Sequence, residues 1–323
     1  MGEFELIHEL FAPLATDPGA LGLTDDASVF SLPKGVEAVI TKDVMVEGVH
    51  FLPETDPARV AQKLLRVNLS DLAAMGADPK GYWLGVQLRK EGAHDWLATF
   101  VEGLKADQAT FGVSLMGGDT VATPGPIALS LTALGTVPMG AALKRSGARP
   151  GDKIYVSGAI GDGVLGLRAA KGDLPDLDGV DRNYLLGRLE CPTPRLALGR
   201  ALRGFASAAI DISDGLAADG AHVAEASSAC LMIEAEAVPL SDAARRVLAK
   251  GLTTLEELLS GGDDYELLFT APVARAGEVE KLTADVPVTA IGEVTAGAGV
   301  RVSRNGAPLS FPKGRAGGGF SHF

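Results

Sequence analysis

Six short segments of this chain place an aspartate beside glycine, serine or another aspartate: Asp25-Asp26, Asp43, Asn68-Leu69-Ser70-Asp71, Gly117-Gly118-Asp119, Asp211-Ile212-Ser213-Asp214-Gly215 and Gly261-Gly262-Asp263-Asp264. They are scattered along the chain, so only a fold that returns distant segments to one region can use them together. Carboxylates repel one another, and a site that gathers several needs positive charge between them, for which hard divalent cations bound by oxygen are the usual source. The pattern points to magnesium and phosphate.

With 323 residues, 46% of them hydrophobic, the chain has material for large cores, and its length favours two domains. A formal charge of -12 argues against nucleic acid or an anionic membrane as partner, since either calls for a basic surface. Cys191 and Cys230 stand far apart without CxxC spacing, which suggests neither a disulfide framework nor a zinc site and fits a reducing cytoplasm. The start, Met1-Gly2-Glu3-Phe4-Glu5, is acidic, and no run approaches the roughly 18 apolar residues of a spanning helix, so a soluble protein is expected.

Residues 3–14 read as an amphipathic helix. Ala27–Leu32 and Val36–Thr41 flank Pro33-Lys34-Gly35 and read as a hairpin that would bring Asp25-Asp26 and Asp43 together at its outer ends. Asp56-Pro57 opens a helix that carries Val60, Leu64, Val67 and Leu72 to about Met75, where Gly76 stops it. A strand at Trp83–Leu88, a helix over 93–111, a short strand Val113–Met116 entering Gly117-Gly118-Asp119, and a strand Ile127–Val137 complete an α+β half. Residues 139–150 have the Gly, Pro, Lys and Arg content of a linker, which places an N-terminal domain at 1–138 and a C-terminal α/β domain at 151–323. In that second half we expect strands at Lys153–Ser157, Ala208–Ile210, Cys230–Glu234, Tyr265–Thr270 and Val288–Ile291. Helices are expected from about Gly163, near 194–203, after Asp214, near 242–250 and at 275–284, with an acidic loop at Asp173–Asp181.

Each motif has a plain structural alternative. Ser213 or Asp214 is a fitting N-cap for the helix that follows, but a cap needs one acceptor, whereas Asp211 and Asp214 supply two carboxylates at a strand end, where ligands bind in open α/β sheets. Gly117-Gly118-Asp119-Thr120 is either a tight turn or a place where backbone N–H groups approach phosphate oxygens. Asp71 either faces water or, abutting Leu72-Ala73-Ala74-Met75, needs a cation or donor as partner. His50 is either structural or, being close to Asp43, a substrate contact. Gly161-Asp162-Gly163-Val164-Leu165-Gly166 matches GxGxxG and carries a rival dinucleotide-binding reading, weakened because Asp178 and Asp181 lie in a loop rather than at a second strand end.

Taken in order, the motifs resemble those of the thiamine-monophosphate kinases, within the superfamily that includes aminoimidazole ribonucleotide synthetase and selenophosphate synthetase. The resemblance covers essentially the whole chain. It rests on Thr24-Asp25-Asp26-Ala27, Asp43 through Phe51, Asn68 through Pro79 (NLSDLAAMGADP), Gly117 through Thr120, Lys144-Arg145-Ser146-Gly147, Asp211 through Leu216, Ser260 through Leu267 (SGGDDYEL) and Phe320-Ser321-His322-Phe323. It implies transfer of the γ-phosphoryl group of ATP to thiamine monophosphate, in a homodimer paired through its N-terminal sheets. An acceptor phosphate is already a competent nucleophile, so alignment and charge neutralisation matter more than a base.

Carried over by position, the resemblance makes Asp26, Thr41, Lys42, Asp43, Asp71, Asp119, Asp211 and Asp214 ligands of several magnesium ions, with a cleft between the domains closing over them. Gly118, Asp119, Arg145 and Ser213 would hold ATP, and Asp43, Asp71, Asp119, Asp214 and Arg145 would carry the transfer. His50, Asp263 and an aromatic, Phe320 or Phe311, would contact thiamine phosphate. The chain departs from the family pattern in having Lys42 for threonine, Asp263 for the glutamate of SGGEDYEL, and a longer, glycine-rich Pro312–Gly319 stretch.

Overall fold

The computed structural model describes residues 3–279, 281–282 and 286–311. The chain is α+β, as expected, and divides into two units: Met1–Leu72 with Ala77–Gly140, and Ala73–Gly76 with Ala141–Phe323.

In the first unit α1 (Glu3–Leu6) continues through irregular helical turns to Leu14. Then follow β1 (Val36–Val46), α2 (Pro57–Ala74), β2 (Asp78–Leu88), α3 (Ala93–Phe111), β3 (Ser114–Ala122) and β4 (Ala128–Pro138). The sheet order is β1-β4-β2-β3, with β2 and β3 parallel and the other pairs antiparallel. Helix α2 starts as its sequence dictates: the Asp56 carboxylate accepts the Ala58 amide at 2.9 Å, and Pro57 takes the first turn, where its missing N–H costs nothing. Gly76, at φ 68°, turns the chain out of the helix. Leu64, Leu65, Leu69 and Leu72 are buried along one stripe of α2, and the buried Asp107 of α3 takes Arg66 of α2 in an ion pair of 2.7 Å.

The expected hairpin does not form. Residues 27–32 hold no strand, and β1 pairs along all eleven of its residues with β4, from Val36 opposite Pro138 to Val46 opposite Ala128. The reason is tertiary, since Gly35 (φ 77°) would suit a hairpin turn but β1 finds an eleven-residue antiparallel partner in β4. Asp43 therefore lies in the middle of a long strand, not at a hairpin end beside Asp26. Strand β3 also runs through Gly117-Gly118-Asp119 instead of ending before it.

The second unit comprises β5 (Asp152–Ser157), α4 (Asp162–Ala170), α5 (Gly179–Glu190), α6 (Leu196–Leu202), β6 (Ala208–Asp211), α7 (Leu216–Ser227), β7 (Cys230–Glu234), α8 (Asp242–Ala249), α9 (Leu255–Ser260), β8 (Leu267–Pro272), α10 (Ala276–Val279), β9 (Val288–Thr295), β10 (Gly299–Arg304) and β11 (Ala307–Pro308). Its sheet order is β11-β10-β7-β9-β5-β8-β6, antiparallel except for β10 on β7. Ile154, Val156, Ile210, Leu231 and Ile291 from the sheet pack with Leu216 and Val223 of α7, and Leu165, Leu185, Val247 and Leu258 join α4, α5, α8 and α9 in a second cluster.

Four elements were not anticipated. Helix α5 begins inside the expected acidic loop, where the Asp178 carboxylate accepts the Asp181 amide as an N-cap; α9 begins at Thr254, whose hydroxyl accepts the Glu257 amide. Strands β10 and β11 are short and held by pairing with distant β7 and with each other. Strand β8 starts at Leu267, two residues later than expected, because Tyr265 adopts φ 51°. Among the described residues no helix is long and apolar enough to cross a membrane.

Candidate active site

Alternation along β1 sorts its three candidate residues. Thr41 donates its hydroxyl to the Asp71 carboxylate of α2, and Asp43, two residues on, feels Asp71 as a like charge. Burial, and then Asp71, push the Asp43 carboxyl up to about 7. Lys42 points to the other face, where its ammonium reaches Ser130 Oγ of β4 at 2.5 Å, so any part it has in metal binding falls to its main-chain carbonyl. After β1 the chain turns at Gly48 (φ 81°), and the Val46 amide donates to His50 Nδ1 at 3.0 Å, which leaves Nε2 as the protonated nitrogen of a neutral ring.

The other acidic candidates of the first unit lie elsewhere in it. Asp25, Asp26, Gly117, Gly118 and Asp119 line one open cavity of about 580 Å3, together with Trp83, Leu84 and side chains of the N-terminal helical turns. The two glycines are there because of crowding in an edge strand, not because a turn requires them: a Cβ on Gly118 would lie 2.1 Å from the Leu84 carbonyl oxygen, and one on Gly117 would lie 3.0 Å from the Trp83 ring. Asp43 and Asp71 are absent from the cavity lining, and among the described residues no three His, Cys, Asp or Glu side chains are grouped as a metal cage.

In the second unit Asp211 ends β6 and is buried, and Ser213 and Asp214 follow in the loop to α7. Neither caps that helix. Its N-cap is Gly215, without a side-chain bond, and the amides of Ser213, Asp214 and Gly215 all donate to one oxygen of Asp219, at 3.0, 2.9 and 3.1 Å. Burial pushes the Asp219 carboxyl up to about 7 against these three donors. The 211–215 loop is sewn to the SGGDDYEL loop, since Asp263 N donates to Ser213 O, Tyr265 N to Ile212 O and Ile212 N to Glu266 O at 2.8–2.9 Å. Asp263 takes φ 68°, a region aspartate tolerates better than most residues, and accepts the Tyr265 hydroxyl at 3.1 Å.

The GxGxxG segment is occupied from within. Gly161 N and Gly163 N, the amides that would meet a pyrophosphate, donate to the two oxygens of the buried Asp264 at 2.8 and 3.0 Å. Asp162 receives the hydroxyls of Tyr184 and Ser241, while Asp178 caps α5 and Asp181 pairs with Arg246. This overturns the dinucleotide alternative, because the amides it requires are already taken by a resident carboxyl group. Asp264→Ala is expected to lower the unfolding free energy by about 2–3 kcal/mol by orphaning two buried amides, and Asp264→Asn, which keeps an acceptor, to cost less; urea denaturation measures both.

Sequence reasoning missed Asp219, Asp264 and Glu266 as supports. Glu266 is buried and accepts from Ser157 Oγ at 2.5 Å, Arg188 Nη2 at 2.9 Å and Arg195 Nε at 2.7 Å. The only advance signal was the excess of carboxylates over the number that ligands could use. Arg145 is exposed, in a loop fixed by the Ser227 hydroxyl, which donates to the Arg145 carbonyl and accepts the Gly147 and Ala148 amides. Phe311 is partly buried against the sheet core, and Phe320 lies outside the described residues.

Two family models match, AIR synthase related protein N-terminal domain over residues 24–137 and its C-terminal domain over 149–305. A thiamine-monophosphate kinase of Caulobacter vibrioides is 46% identical over 314 residues, covering 95% of this chain and 88% of the relative. The chain belongs to the thiamine-monophosphate kinase family. Its fold agrees: the family's crystal structure from Stenotrophomonas maltophilia K279a superposes with a TM-score of 0.85 at 39% identity, covering 96% of this chain and 98% of that one. The AaThiL structure complexed with AMPPCP and TMP has a TM-score of 0.79 at 30% identity and covers 100% and 97% of the two chains. The buried carboxyls Asp219, Asp264 and Glu266 serve the scaffold, which leaves Asp26, Asp43, Asp71, Asp119, Asp211, Asp214 and Asp263 as the candidates for ligands.

Proposed function

We infer that the chain is a thiamine-monophosphate kinase, transferring the ATP γ-phosphoryl group to thiamine monophosphate to give thiamine diphosphate and ADP. The observation that carries this is family membership over nearly the whole chain, joined to a relative of the same fold that binds an ATP analogue and TMP.

The Asp43–Asp71 pair supports magnesium as the companion ion. Two neighbouring carboxyls, one of them raised to about 7 by burial and then by the charge of the other, would be relieved by a cation, and Mg2+ is commonly held by one or two carboxylates with the rest of its shell from water and phosphate. When bound, the metal would neutralise phosphate charge. In this reading Asp43 and Asp71 hold it with Thr41 and the Lys42 carbonyl. Asp26 and Asp119, on the cavity of the first unit, and Asp211 and Asp214, in the second unit, are the further candidate carboxylates for magnesium. Gly118, Ser213 and Arg145 orient the nucleotide, and Arg145 offsets charge on the transferring group. His50 and Asp263 are the candidates for contact with the acceptor. No general base is required, because the acceptor phosphate attacks in its ionised form.

The test is ADP formation that requires both thiamine monophosphate and Mg2+; turnover independent of either sinks the reading. A pH dependence follows from Asp43. A carboxyl raised to about 7 stabilises the metal-free fold below its unfolded value near 3.8, and that contribution is lost as pH rises through 7. Metal must displace the proton, so apparent Mg2+ affinity should fall by up to about tenfold per pH unit below 7. Thermal unfolding should show a larger Mg2+-induced rise at pH 8 than at pH 6.

Ile40 and Val44, 65% and 49% exposed on β1, support a homodimer joined through this sheet. Ile40→Lys is expected to shift sedimentation toward the monomer.

A further inference from the structure

We propose that Asp219 is a positioning residue for phosphoryl transfer, holding the Asp211–Gly215 loop in the form that presents its carboxylates. The inference rests on the reading that Asp211 and Asp214 bind magnesium. One oxygen of Asp219 collects three successive amides of that loop, at 2.9–3.1 Å, from the first turn of the helix the loop enters. A capping side chain ordinarily satisfies one such donor. Here three consecutive residues are drawn toward one interior atom, which fixes the backbone dihedrals of the segment and hence the direction in which Ser213 and Asp214 leave it.

These amides belong to the loop itself, ahead of the helix whose N-cap is Gly215, so the contact orders the loop and does not cap α7. The loop has no slack on its other side: a Cβ on Gly262 would lie 2.2 Å from Ser213 O, and one on Gly215 would lie 2.7 Å from the Ser260 carbonyl carbon. Asp263 N donates to Ser213 O at 2.9 Å, so a shift of the metal-side loop is passed to the acceptor-side residue.

The experiment compares Asp219→Ala, Asp219→Asn and Asp214→Asn in the full chain. Mg2+ is titrated by calorimetry in the presence of AMPPCP, and hydrogen exchange follows the 212–216 segment. Asp219→Ala should raise the Mg2+ midpoint at least tenfold and speed exchange at Ser213, Asp214 and Gly215. Asp219→Asn, which keeps an acceptor oxygen, should stay within threefold of the native protein. A loop contact with no positioning role would lower the melting temperature without moving the midpoint measured well below it.

The proposal is overturned if Asp219→Ala binds Mg2+ within threefold of the native midpoint, or if Asp219→Asn is as impaired as Asp219→Ala. Should Asp219→Ala not fold, Asp219→Glu replaces it, keeping the charge but moving the acceptor by one methylene; a shift above threefold supports the proposal and a smaller one overturns it. Asp214→Asn separates the two levels. If it shifts the midpoint and the Asp219 variants do not, positioning fails alone; if it also leaves the midpoint unmoved, the metal reading of this loop fails.

Discussion

Asp71→Asn is expected to reduce ADP formation from ATP and thiamine monophosphate by at least about a hundredfold with the fold intact, the scale seen when one preorganised electrostatic group is removed from a phosphate or oxyanion site. The amide is nearly isosteric and its oxygen still accepts from Thr41, so the packing of α2 on β1 survives. What changes is charge. A cation at this site loses one anionic ligand, and Asp43 loses the like charge that, after burial, holds its carboxyl near 7. The Asp43 pKa therefore falls, and ionising it at pH 8 costs the metal-free fold less. The variant should melt no lower than the native protein at pH 8 without metal, and higher if that relief dominates, while gaining less from added Mg2+. Turnover within tenfold of native at saturating Mg2+ would remove Asp71 from the site.

The second large effect concerns stability. Glu266→Ala should destabilise the second unit by about 3–5 kcal/mol, the range for stripping one partner from a buried ion pair. Arg188 and Arg195 would keep their charge with the main acceptor gone, and the Ser157 hydroxyl would lose its acceptor. Glu266→Gln retains an acceptor oxygen and should cost less than the alanine variant. Urea denaturation followed by far-UV circular dichroism measures both, and a loss under about 1 kcal/mol for Glu266→Ala would mean that the arginines find other partners.

Much of the fold was legible because α2, α3, β2, β4, β5 and β7 announce themselves locally, through Pro57 and Gly76, through alternating apolar residues, or through short β-branched runs. The hairpin at 27–41 failed where tertiary pairing decided the outcome: β1 has an eleven-residue partner in β4 that local turn chemistry does not reveal. Helix α5 was missed although its cap, Asp178, was in plain sight, because the acidic residues there read as loop, and α9, six residues long behind Thr254, is too short to show a helical period. Asp43 and Asp71 were candidates from the family resemblance, and the structure brings them close enough for Asp71 to act on Asp43 as a like charge. Asp219 and Asp264 could not be told from ligands, since a carboxylate that serves an interior amide and one that serves a cation have the same signature in sequence.

That division bears on how this family can vary. The loop carrying residue 263 is fastened by Asp264 to the Gly161 and Gly163 amides, by Glu266 to two arginines, and through its backbone to Ser213 and Ile212. A change of one methylene at 263 leaves those fastenings in place, though the Tyr265 hydroxyl that Asp263 accepts at 3.1 Å must follow it, so the reach of this side chain can change on a largely unchanged foundation.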